Sequence, residues 1–381
     1  MKRNGYLTAD DLAFSAAYGG GIYRWSIDRV PDPLMGGDAL SPRLTNILNR
    51  ETFFLRRLDC PSESALAFLR RQILTPPPRE DILWPSDLVS LPERCRDGSA
   101  VFALRQYTDA PARSEDRTGD WVLLFPWGGY PPFTDGERQL QALRERPGLC
   151  WRESAVRETA AAMLRPLAAL NRAGYVYEEI HPSRFLFRAD GSVFLDYSPL
   201  LSAMPQALLR GEARNSAAPG GGELCTPAEG DYPLEFAEPA FVRGLRRQLD
   251  FRSQNYSVTA LLFYLFFGRY PYDGRLLSDY VDDGSRLKHY AKFREYHRMP
   301  VFLFDARDES NRLGAFAEER AVLELWEDCP PRLKALFRNA LGEGSALRRG
   351  GAEPPSPERW LAELRALEWI KTAKAGTEER T

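Results

Sequence analysis

The residues from Gly174 to Ser198 constrain the fold of this chain more than any others. They read Gly-Tyr-Val-Tyr-Glu-Glu-Ile-His-Pro-Ser-Arg-Phe-Leu-Phe, then Arg188, then Ala-Asp-Gly-Ser, then Val-Phe-Leu-Asp-Tyr-Ser. Phe185-Leu186-Phe187 and Val193-Phe194-Leu195 are two short apolar runs flanking Ala189-Asp190-Gly191, a turn signal. The spacing predicts two short strands joined by a tight turn. The polar residues of the segment are Glu178, Glu179, His181, Arg184 and Asp196.

The rest of the chain divides around this segment. Tyr18-Gly19-Gly20-Gly21 precedes the alternating Ile22–Ile27 stretch, as in a hairpin. Glu51 to Leu58, Val101 to Leu104 and Trp121 to Phe125 read as strands. Ser62 to Leu74 has helical spacing at Leu66, Leu69 and Ile73 and stops at Pro76-Pro77-Pro78. From about Glu153 the period becomes helical, with Val156, Ala160, Met163, Leu164, Leu167 and Leu170 on one face. The stretch 199–231 is rich in Gly, Ala, Ser and Pro and reads as a long loop. A strand-rich part followed by a helix-rich part predicts an α+β protein of two lobes with a cleft.

Composition removes several classes. The chain has 381 residues, 44% of them hydrophobic, which is enough for a large core. Lys and Arg total 51 against 53 Asp and Glu, so no general attraction to nucleic acid or an anionic membrane is expected. The longest apolar run, Val258 to Phe267, is shorter than the ~20 residues of a membrane span and predicts a buried core helix. The N-terminus lacks the apolar stretch of a signal peptide. The cysteines at 60, 95, 150, 225 and 329 lack metal-site spacing. They read as reduced thiols of a cytoplasmic protein.

Several segments together resemble the eukaryotic-type protein kinases, in the divergent form found in bacteria. Gly174, Val176, Ile180, Pro182 and Leu186 match the apolar frame of the catalytic loop, "G-h-x-H-R-D-h-K-P-x-N-h-L" with h any apolar residue. Ser253 to Thr259, Leu261-Leu262 and Gly268-Arg269-Tyr270-Pro271-Tyr272 match the "S-D-h-Y-S-h-G … G-x-x-P-F" helix. Cys329 to Phe337, Ala340-Leu341, Pro355-Ser356 and Trp360 resemble the closing helices, and Trp84 to Val89 a tryptophan-proline strand of some bacterial members. The resemblance implies a β-rich N-lobe over 10–126 and a helical C-lobe over 127–370. It places a catalytic-loop-like segment at 174–198, an activation-like loop at 199–239 and a polar tail at 371–381.

Within this frame the polar residues have changed. The resemblance puts the catalytic aspartate at Glu179, the arginine before it at Glu178 and the loop histidine at Tyr177. The phosphate-steadying lysine falls at His181, and the metal-binding asparagine at Arg184. Only the metal-binding aspartate survives, as Asp196. Glu179 keeps a carboxylate on a longer arm, and a displacement of ~1 Å at a catalytic group can cost on the order of 10²-fold. Arg184 puts a permanent cation where a metal ligand belongs. His181 is mostly neutral at pH 7.

The nucleotide-binding residues implied are Gly19, Gly20 and Gly21, the strand residue Arg56, and Phe125 and Trp127. Arg57 competes with Arg56 for the strand-lysine position. The glycines equally suit a plain hairpin turn. Glu63, the nearest helix glutamate, suits a helix N-terminus as well as an ion pair. Gln254 replaces an aspartate that accepts hydrogen bonds from the loop backbone, and its amide oxygen can still accept one. Glu238 stands in the family's "A-P-E" region, with Arg348 or Arg349 expected as its partner. The tryptophans at 151, 326 and 360 are expected in the core.

The expected function is that of a pseudokinase, a kinase-shaped regulator or scaffold. It would engage a protein partner (a substrate, a phosphatase or an active kinase), with ATP and a single Mg²⁺ at Asp196 as its ligands. The alternatives are an active Ser/Thr kinase with Glu179 as base and Asp196 on the metal, and an altered transfer such as nucleotidylation.

Overall fold

A computed structural model describes residues 23–31, 40–46, 50–58, 68–69, 71–91, 120–126, 134–135, 139, 150–177, 179–188, 190–197, 202–203, 234–243, 250–278, 286–314, 317–342 and 353–369. The chain is α+β and forms two compact units. One comprises Met1–Gly136, Ser183–Leu200 and Arg210–Thr226; the other comprises Glu137–Pro182, Leu201–Leu209 and Pro227–Thr381. The two-strand segment opened by Arg184 thus belongs to the strand-rich unit. The expected strand at 101–104 lies outside the described residues, as does all of 199–231 apart from 202–203.

The first unit is built on an antiparallel sheet in the order β1-β2-β3-β5-β4. Its strands are β1 (Tyr23–Pro31), β2 (Leu40–Asn46), β3 (Thr52–Leu58), β4 (Asp87–Leu91) and β5 (Asp120–Pro126). Phe53 and Phe54 of β3 and Leu123, Leu124 and Phe125 of β5 are all buried. The Phe54 and Phe125 rings stack at 5.1 Å. A continuous apolar run of this kind fits a strand covered on both faces.

A second sheet of this unit runs β6 (Thr134–Asp135), β8 (Phe185–Phe187), β9 (Val193–Leu195). The turn between β8 and β9 has the chemistry its residues dictate. Asp190 Oδ1 accepts hydrogen bonds from the Ser192 N–H at 2.9 Å and the Ser192 hydroxyl at 2.6 Å. Those bonds and the neighbouring Arg188 hold the Asp190 carboxyl below its ordinary range. Gly191 takes φ +81°, which costs glycine little. The turn fixes the register Phe185↔Leu195, Leu186↔Phe194, Phe187↔Val193.

The second unit is helical: α1 (Ser154–Arg172), α2 (Pro239–Val242), α3 (Phe251–Phe267), α4 (Arg286–Arg298), α5 (Ala317–Asp328), α6 (Pro331–Leu341) and α7 (Pro357–Ala366). Between α1 and α2 lie the short strands β7 (Tyr175–Val176) and β10 (Ser202–Ala203), which pair antiparallel. The six apolar positions predicted for α1 are all buried.

Helix α3 is buried almost all round, as its continuous apolar run predicts. Asp250 caps its N-terminus by accepting from the Ser253 N–H at 2.9 Å, and Gly268 ends it with φ +68°. An aromatic cluster surrounds its C-terminal half. Phe263 meets Phe302, Phe304, Trp326 and Phe337, and Phe304 stacks on Trp326 at 4.3 Å. Trp360 is fully buried and donates its Nε1–H to Thr259 Oγ1 at 3.2 Å. Trp151 is buried and donates to the Leu325 carbonyl at 3.1 Å. Among the described residues, no helix is long and apolar enough to cross a membrane. Cys150 and Cys329 are free and buried, and burial pushes the Cys329 thiol up to about 12.

Candidate functional site

In the first unit the β8–β9 register decides which residues meet. Phe185 opposes Leu195, so the next pair outward is Arg184 and Asp196. The Asp196 N–H donates to the Arg184 carbonyl at 2.7 Å, extending the ladder by one step. Their side chains meet across it, with Arg184 Nη1 3.5 Å from Asp196 Oδ2. The Asp196 side chain is 5% exposed and that of Arg184 25%. A carboxylate this buried requires a counter-charge, and the guanidinium supplies one.

Tyr197 follows directly and is buried. Its hydroxyl donates to Gln72 Oε1 at 2.9 Å, and its ring packs 5.3 Å from Phe125. Gln72, on the helical stretch at 71–73, also accepts through its carbonyl from Trp84 Nε1–H at 3.0 Å. Ile82 bridges Leu195, and the Leu83 N–H donates to the Leu195 carbonyl at 2.9 Å. The residues around Asp196 are therefore fastened to the stretch that precedes β4. Sequence reasoning did not find Gln72; it lies 125 residues from its partner Tyr197.

Phe125 sits in the core of this unit with its ring between Phe54 and Tyr197. Arg56 pairs through its backbone with Leu123 on β5, and its side chain lies outside the described residues. Gly19, Gly20, Gly21, Glu63, Trp127 and Glu178 also lie outside them.

In the second unit, the loop after β7 is braced from α3. Gln254, buried at 2% exposure, accepts the Tyr177 N–H on its amide oxygen at 2.7 Å. Its amide nitrogen donates to Asn171 Oδ1 at 2.7 Å. The expected acceptor role is present, and Asn171, the last-turn residue of α1 that completes it, was not foreseen. Tyr177 is itself buried, and Ile180 with it, while Glu179 and His181 are half-buried. The His181 ring meets Phe236 edge-on at 5.8 Å.

The segment at 234–238 is anchored by polar contacts. Glu238 is buried, accepts from the Ser253 hydroxyl at 2.7 Å and lies 3.6 Å from Arg252 Nε. Arg252, at the start of α3, is a cation beside it; Arg348 and Arg349 lie outside the described residues. His297 of α4 is buried with Nε2 2.6 Å from the Leu234 carbonyl. A carbonyl only accepts, so Nε2 carries the proton. Burial pulls the ring's pKa down to about 4, against the Leu234 hydrogen bond and the Glu235 charge. Nδ1 is buried and has no hydrogen-bond partner among the described residues.

The chemistry Asp196 can perform follows from its neighbour. A divalent cation of the Mg²⁺ class takes several oxygen ligands at about 2.1 Å. Among the described residues, Asp196 offers one buried carboxylate, and the Arg184 guanidinium faces it. Among the described residues, no three His, Cys, Asp or Glu side chains group as a metal would require.

No protein-family model matches the chain, and no curated protein matches it.

Proposed function

We propose that this chain is a protein-kinase-like regulator whose phosphotransfer machinery is degraded: a two-lobed pseudokinase that works by binding a protein partner. The Arg184–Asp196 pair carries the reading. Phosphoryl transfer needs positive charge, supplied by metal ions, held between the enzyme's carboxylate and the phosphates. Here the carboxylate facing that position already has an arginine against it. Glu179 and His181, half-buried on the loop after β7, keep polar side chains but not the residue types the chemistry uses.

The retained scaffolding also supports it. Gln254 braces the loop through Tyr177, and Glu238 is tied to the start of α3. Both contacts hold backbone in the helical unit that carries Glu179 and His181. The protein partner would be a substrate, a phosphatase or an active kinase.

The test is transfer from γ-labelled ATP with Mg²⁺ or Mn²⁺, to the chain itself and to generic protein acceptors. The expected incorporation by the wild type equals that of Asp196→Ala. Incorporation that Glu179→Gln abolishes in a folded protein would instead establish an active kinase with Glu179 as base. Transfer of the nucleotidyl group, seen with α-labelled ATP, would establish the altered chemistry.

A further inference from the structure

We infer that Arg184 is the resident cation of Asp196, and that its guanidinium is what excludes a divalent metal ion from this position. The inference rests on the proposed function only for the reason a metal would be expected there; the geometry is independent of it.

Three observations carry it. The pair is built by the hairpin and is not a chance surface contact. The turn at Asp190-Gly191 sets the register, and the register puts residue 184 opposite residue 196. The backbone bond from Asp196 N–H to the Arg184 carbonyl, 2.7 Å, holds the two main chains together at that point. Cross-strand neighbours of opposite charge attract.

Second, the Asp196 side chain is buried at 5% exposure, so its charge must be met locally. Arginine stays charged at any ordinary pH. The compensation is therefore permanent, where a metal ion would come and go.

Third, the space is short. An ion bound to Oδ2 at about 2.1 Å would lie no farther than about 5.6 Å from Nη1, which is 3.5 Å from the same oxygen. Two positive charges on the ion and one on the guanidinium repel at that range, and in a partly buried site the repulsion is poorly screened. To bind, the ion must displace the guanidinium from the carboxylate.

The experiment uses the full chain and Mn²⁺ alone, followed by electron paramagnetic resonance, with melting curves to show that each variant folds. The wild type should show no saturable site that Asp196→Asn removes. Arg184→Asn and the bulkier Arg184→Gln should each gain a site at least about tenfold tighter than any wild-type binding. Adding Asp196→Asn to either should abolish it. Wild-type binding lost in Asp196→Asn overturns the inference, because the metal then coexists with the guanidinium. Folded Arg184→Asn or Arg184→Gln protein that gains no site overturns it too, because the guanidinium is then not the barrier. Should neither variant fold, the wild-type and Asp196→Asn titrations decide. These outcomes leave the pseudokinase reading separate, since that stands or falls on phosphate transfer.

Discussion

The brace at Gln254 and the pair at Asp196 both bury polar groups in strategic backbone, and they differ in what those groups face. Gln254 is neutral, and both ends of its amide meet neutral partners, the Tyr177 N–H and Asn171 Oδ1. Asp196 meets a full cation across a strand ladder. A position that only holds a loop tolerates a neutral amide for a carboxylate, since one acceptor oxygen is all it needs. A position that must hold a metal does not tolerate a cation for an amide, since charge is what it supplies. On the proposed kinase-like reading, the scaffold and the chemistry of one frame diverge separately.

The comparison breaks most sharply at Gln254. Gln254→Ala leaves the buried Tyr177 N–H without this acceptor and Asn171 Oδ1 without this donor, and opens a cavity. We expect a loss of about 3–4 kcal/mol in denaturant unfolding. A loss below about 1 kcal/mol would show that the brace does not hold the loop.

Arg184→Ala should cost about 3 kcal/mol, the lower end of the range for stripping a buried charge of its partner, because the pair is long and the arginine part-exposed. Arg184→Met with Asp196→Leu should recover most of it, as an uncharged pair has no desolvation cost to meet. If the double variant is as unstable as the single one, electrostatics is not what links the two residues.

A neutral buried group sharpens the contrast through pH. His297 binds its proton at about 4 in the folded chain and near 6.5 when unfolded. The unfolded state therefore takes up the proton first as pH falls. The contribution of His297 to stability is constant above about pH 6.5, declines between there and about 4, and loses about 3 kcal/mol in all. His297→Gln should flatten that part of the profile. An unchanged slope would assign the acid sensitivity to other groups.

The smallest effect concerns a neutral pair. Tyr256 and Tyr272 share a hydroxyl–hydroxyl hydrogen bond of 2.7 Å, and burial raises both pKa values, so they stay protonated. Tyr256→Phe should cost about 1 kcal/mol in unfolding, with no pH dependence below 10. A pH-dependent cost would mean that one of them ionises.

Local pattern made much of the fold legible. The period of α1, the apolar run of α3 with Gly268 after it, strands β3 and β5, and the Asp190-Gly191 turn all follow from residues within a few positions of each other. That turn also sets the register that brings Arg184 to Asp196, a contact the sequence reading did not state. The illegible parts are pairings between distant residues. Tyr197 finds Gln72, Trp360 finds Thr259, and Glu238 finds Arg252, which the sequence reading did not single out. Neither period nor spacing encodes such contacts, which follow from how elements pack. His297 was likewise missed: an isolated histidine on a charged helix carries no pattern that announces its burial.

The most direct measurement is labelled-phosphate transfer by the wild type, by Asp196→Ala, and by a restored variant carrying Glu179→Asp, His181→Lys and Arg184→Asn, which gives these positions the residue types that the proposed kinase-like reading expects. The account predicts that the wild type matches Asp196→Ala and that the restored variant rises above both. A wild type that transfers phosphate at a rate Asp196→Ala abolishes would contradict it.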